Sequence, residues 1–209
     1  MMYRTLASLA LLAFLAGNVT TLEAQARRGG RDRGLLELSP EKSRSGFFIS
    51  GAVGAGAEQN KFSDELQYTQ SLTKPTITLR MGGTPNAGVR LGAEFFGWWN
   101  AVADGTETFG TALVMAQLYP MPNTGLYLKV GGGIAESGID FTNGSSNHET
   151  GFGWSAGAGY DIPLSPQFSL GPTVDFYKAT FTKRNEATLS ERVVNIGIQV
   201  SFQTGRRRR

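Results

Sequence analysis

Cysteine is missing altogether from the 209 residues, and histidine occurs once. The first absence excludes thiol catalysis, cysteine-bound metal and disulfide staples; with a lone histidine, a transition metal has almost no ligands. Long apolar runs are scarce too. Past residue 26 nothing approaches the roughly 18 consecutive apolar residues of a membrane helix, and mean hydropathy is slightly negative. The one apolar run, "LASLALLAFLAG", is short, follows Arg4 and leads into "LEAQA". Ala24 and Ala26 take the small-residue positions before a cut, so residues 1–26 read as a secretory signal and the mature chain starts at Arg27. The glycine-rich pieces "GAVGAGA" and "GGGIA" open no helical pattern, and no G-K-[ST] occurs, which excludes a phosphate loop. No spacing of ligands calls for a metal or any other cofactor.

Positive charge is nearly confined to the ends. Residues 27–44 and 203–209 together carry +7, whereas residues 45–202 carry −4. The sequence pI of about 9.3 therefore belongs to the tails. The first is expected to be a disordered, basic periplasmic segment and the second an Arg-rich tail. Basic tails alone do not make a nucleic-acid binder; after export an anionic lipid or a cell-wall polymer is the better partner, and a solvated disordered tail is the plainer reading of both.

What the chain has is glycine, 28 residues, with 13 Phe, 6 Tyr and 3 Trp spread through short alternating runs. Eight such runs predict an all-β chain. "SGFFISGAVGAGAE" sets Phe47, Ile49, Val53 and Ala55 on one face; "TITLRMG" sets Ile77, Leu79 and Met81 against Arg80. "GVRLGAEFFGWWN" opposes Val89, Leu91, Phe95 and Trp99 to Arg90, Glu94 and Asn100. "TFGTALVMAQLY" is apolar on both faces and has no assignable facing. "LYLKVGGGIA" opposes Leu128, Val130 and Ile134 to Lys129, and "GFGWSAGAGYDI" opposes Phe152, Trp154 and Tyr160 to glycines and Asp161. "FSLGPTVDFYKATF" carries Asp175 and an awkward Pro172, whose missing N–H predicts a bulge or a late strand start. "RVVNIGIQVSF" closes the series.

Pro-containing turns ("GTPNAG", "YPMPNTG", "DIPLSPQ") alternate with polar links assigned to 59–74, 100–107, 136–150 and 182–191. Short and long connections in turn, with an even number of strands, predict an eight-stranded antiparallel up-and-down barrel in an outer membrane over 45–202. Aromatics fall into two belts, Phe47, Tyr160, Phe168 and Phe202 near the short turns and Trp99, Phe109, Phe152 and Trp154 near the long loops.

With those runs in place, the chain resembles the small OmpA/OmpX-type outer-membrane β-barrel family. One local motif is sharper than the topology: the family's closing-strand signal, polar-x-Gly-x-x-apolar-x-aromatic, is matched by Asn195, Gly197, Val200 and Phe202 in "NIGIQVSF". The resemblance implies that the barrel-assembly machinery reads this strand during insertion into the outer membrane of a Gram-negative-type cell. In many relatives the aromatic is the last residue; here "QTGRRRR" follows.

The alternation sends Arg80, Arg90, Glu94, Lys129, Asp161 and Asp175 inward. A barrel of eight strands is wide enough for side chains to fill and no wider, so these charges are expected to pair as a structural plug. A catalytic role needs a base within reach of a nucleophile. His148 shares one Gly/Ser/Asn-rich link with Ser145, Ser146 and Glu149, and no catalytic residue is assigned. The expected role is non-enzymatic: envelope integrity, or contact with an extracellular partner through loop residues Phe62, Tyr68, Phe141 and His148. A narrow solute pore and a lipid-modifying enzyme are the alternatives, with a soluble periplasmic ligand-binding barrel as a third.

Overall fold

The computed structural model describes residues 44–182 and 188–205. The expected signal at 1–26, nearly all of the expected basic segment, part of the last link and residues 206–209 lie outside the described residues. Among the described residues nine strands form: β1 (Gly46–Phe62), β2 (Leu72–Asn86), β3 (Val89–Val102), β4 (Gly105–Leu118), β5 (Leu126–Phe141), β6 (Ser146–Tyr160), the two-residue β7 (Ile162–Pro163), β8 (Phe168–Phe181) and β9 (Leu189–Gln203). Each long strand pairs antiparallel with its sequence neighbour, β6 pairs with β8 past β7, and β1 pairs with β9 from Phe48↔Gln203 to Phe62↔Leu189. The eight long strands thus close an all-β antiparallel barrel that has no free edge to template aggregation.

Burial is inverted relative to a water-soluble protein. Ile49, Val53, Ile77, Leu91, Phe95, Val130, Ile134, Phe152, Val194, Ile196 and Ile198 are exposed, while Arg80, Arg90, Glu94, Gln117, Lys129, Asp175 and Gln199 are buried. The period of two carries this, since successive side chains of a strand take opposite faces. On β9 the outward apolar residues run from Val194 to Phe202 and on β6 from Phe152 to Tyr160. Each run matches the roughly 9–11 residues that a tilted strand needs to cross a bilayer core.

Three expectations are corrected. Connection lengths do not alternate: β3 and β4 pair as far as Val102↔Gly105, and β5 and β6 as far as Asp140↔Ser146. The stretches 100–107 and 136–150 are therefore mainly strand, and 119–125 and 161–167 are longer links than 103–104 or 142–145. Polar, glycine-bearing sequence reads as loop, but a ladder already in register continues into water because its backbone bonds need no apolar side chains. Phe109 is not in an outer belt. It is 2% exposed and points inward, on the face that β4 shares with Leu113, Met115 and Gln117. Pro172 causes neither a bulge nor a late start. It pairs with Ile198 of β9, and the ladder to the preceding strand is interrupted opposite it, between Gly159↔Thr173 and Ile162↔Leu170, with the register kept. In that gap Asp161 turns its N–H to the Gly125 carbonyl at 2.8 Å.

Candidate functional site in the lumen

Reading inward from the end where β1 begins and β9 ends, the lumen is filled in layers. Arg90, 1% exposed, forms an ion pair with Asp161 at 3.3 Å, donates to Gln203 at 2.9 Å and lies 4.9 Å from the Phe48 ring centroid. The Tyr119 hydroxyl donates to Asp161 at 2.9 Å, and Arg44 stacks on the Tyr119 ring at 3.8 Å. Arg44 also donates to the carbonyls of Pro122 and Thr124. Assigned to the disordered basic segment, it is instead buried in the end of the barrel. A single arginine before a strand carries no pattern that would have announced this.

Above that layer sit two cations and two carboxylates. Arg80 bonds Glu94 at 2.6 Å and Asp175 at 2.7 Å; Lys129 bonds Glu94 at 2.5 Å and Asp175 at 2.9 Å. The four formal charges cancel, and each charge meets both groups of opposite sign. Neutral side chains take up bonding capacity that remains: Gln199 and Tyr127 accept from Arg80, Thr173 donates to Asp175 and Ser155 to Glu94. Charges enclosed this way avoid the penalty of an unpaired ion in a low-dielectric interior. All six inward charges named from the sequence are buried here, and they fall into two groups rather than one. The partners Tyr127, Gln199 and Ser155 share the inward parity of those charges, so the alternation could have found them; which cation meets which acid is set by the register.

The next layer is apolar. Phe96, Trp98, Phe109, Leu113, Tyr177, Phe181 and Val193 cluster, with the Phe96 and Tyr177 rings stacked at 3.8 Å. Trp98 donates its indole N–H to the Gly56 carbonyl at 3.0 Å. Glycines on the inner face make room: a methyl at Gly159 would run into the Tyr127 ring, and one at Gly157 into the Asp175 carboxylate.

The residues named for other roles are placed as follows. Asn195 is inward and accepts from the Thr76 hydroxyl at 2.6 Å; Val200 is outward, and Phe202 packs on Phe168 at 5.1 Å on the outer face. Gly197 lies on the inner face, backed by the Val53 carbonyl of β1. Phe62 and Phe141 end β1 and β5 and His148 lies within β6, so of the four loop residues only Tyr68 is in a loop. The Tyr68 ring lies 3.8 Å from the Arg192 guanidinium. His148 faces outward past the apolar run of β6, its Nδ1 2.7 Å from Glu136 and its Nε2 3.2 Å from Asp140. The hydrogen bond to Asp140, then that to Glu136, raises its pKa against slight burial. Both ring nitrogens are taken by carboxylates, and Ser145 bonds Asn143 instead.

A family model described as outer membrane protein beta-barrel domain matches residues 9–202. Among solved structures, the chain is similar to Neisserial surface protein A at 16% identity, over 75% of this chain and 97% of that one, with a TM-score of 0.49. It is also similar to Ail, the attachment invasion locus protein of Yersinia pestis, at 12% identity over 74% and 99% with a TM-score of 0.44. It is similar as well to the outer membrane protein OprG from Pseudomonas aeruginosa at 17% identity, over 77% of this chain and 98% of that one, with a TM-score of 0.41. A comparison with curated protein sequences gives no match. The apolar exterior, the polar filled interior and the family match agree: this chain belongs to the outer membrane protein beta-barrel domain family.

Proposed function

We propose that this barrel is a non-enzymatic component of the outer membrane, serving envelope integrity or contact with an extracellular partner, and that it conducts no solute. The observation that carries the reading is the lumen itself. An ionic layer whose charges cancel lies against a stacked aromatic layer, and neither can part without exposing unpaired charge or apolar surface. At the end where β1 finishes and β9 begins, the strands run past the apolar belt, and Phe62, Leu66 and Phe141 are exposed. Such apolar residues above a lipid belt suit a partner surface. Export through the segment 1–26 and recognition of Asn195, Gly197, Val200 and Phe202 by the assembly machinery belong to the same reading. The full chain, refolded and added to planar bilayers, is expected to insert without single-channel steps; regular conductance steps that survive further purification would favour the pore.

A further inference from the structure

The end of the lumen where β1 finishes and β9 begins is an acidic vestibule. A cavity of about 380 Å³ is lined by Glu58 of β1, Glu107 of β4, Glu149 of β6 and Glu191 of β9, with Trp98 and Phe109 also on its wall. No lysine or arginine among the described residues lines it. Two of the acids hold oxygens without a partner. Glu58 is 8% exposed and its Oε1 is unbonded; Glu191 is 6% exposed, accepts from Ser137 through Oε1 at 2.7 Å, and leaves Oε2 unbonded. A buried carboxylate oxygen with nothing to accept is a costly arrangement unless something else supplies the donor. Among the described residues no three acids or histidines converge closely enough to hold a metal ion. The negative charge is spread round an aromatic wall instead of being focused at a point.

We propose that this vestibule binds a linear polyamine, its separated ammonium groups taken by Glu58, Glu191 and the neighbouring acids and its methylenes lying against Trp98 and Phe109. Ammonium groups supply the donors that the two orphaned oxygens lack. Methylenes suit the rings, and an ammonium near a ring face gains further attraction. Glu58 and Glu191 lie beyond the outward apolar runs that end at Ala57 and begin at Val194, so the site opens to water and not to lipid. Burial, then the nearby Glu107, pushes Glu58 up to about 7. Burial also lifts Glu191 to about 7, against the Ser137 hydrogen bond and with help from Glu58, Glu149 and Glu107. Among the described residues the ionisable groups that act on the pair, Glu107 and Glu149, are acids, and polyamine affinity should rise as pH passes upward through that value.

The test is calorimetric titration of spermidine into the full-length barrel, refolded in zwitterionic detergent micelles at low salt and about pH 8. Saturable binding is expected. The Glu58→Gln/Glu191→Gln double variant should bind about tenfold more weakly or worse, as should the native chain at about pH 5.5, whereas Asp64→Asn should bind as the native chain does. Compact gel mobility before boiling shows that each variant is folded. Absence of saturable binding by the native chain, equal binding by the folded double variant, or equally tight binding of calcium would overturn the proposal.

Discussion

Arg80 shows what one buried ion does in this lumen. Its guanidinium spans Glu94 and Asp175, and the side chain is 1% exposed. Arg80→Met leaves two carboxylates sharing Lys129 alone, an uncompensated charge that costs about 3–5 kcal/mol. Denaturant unfolding in micelles should show that loss, and Arg80→Met/Asp175→Leu, which keeps the Lys129–Glu94 pair, should recover part of it. His148 behaves oppositely, being on the surface. Its pKa is raised in the fold by the carboxylates of Asp140 and Glu136. A raised histidine stabilises the fold below its unfolded pKa, and that contribution is lost as pH rises through the folded one. The difference in unfolding midpoint between the native chain and His148→Ala should therefore be measurable near pH 5 and vanish near pH 9. Exposed ion pairs contribute little, so it stays below about 1 kcal/mol.

A strand of this barrel is specified by two faces at once. β6 is apolar and large outside, with Phe152 and Trp154, and nearly bare inside, with Gly151, Gly153, Gly157 and Gly159. Glycine usually weakens a strand, having no side chain to pack. Here its absence of a Cβ is what admits Tyr127 and Asp175 from the strands on either side. Gly159→Val should lower stability by about 1–3 kcal/mol through overpacking, read as a lower temperature of the gel-mobility shift. The parity of β6 was legible because its two faces differ so strongly. That of β4 was not, since Ala112, Val114 and Leu118 outside and Leu113 and Met115 inside are chemically alike. Only pairing with β3 and β5 settles it, and Phe109 goes inward with that settlement.

The barrel as a whole is a cylinder turned apolar side out. A lipid-soluble photoprobe should label cysteines introduced at Ile196 and Ile198, both exposed, and spare those at Asn195 and Gln199, both buried. Labelling in the reverse order would exchange inside for outside. The closed ladder leaves no edge from which unfolding can start, so the barrel should migrate as a compact species in detergent until it is boiled.

Sequence by itself determined the eight long strands, the antiparallel closure and, β4 apart, which residues face lipid, because a period of two is written locally and each lipid-facing run must be apolar along its length. Polarity also marked six charges for the interior. Tertiary structure decided how they pair, since Arg80, Glu94, Lys129 and Asp175 come from four strands brought together only by register and curvature. It decided too that the polar stretches 100–107 and 136–150 are largely strand, that Arg44 enters the end of the barrel, and that four distant glutamates line one mouth. Contacts of that kind join residues far apart in the chain, and no local pattern records them.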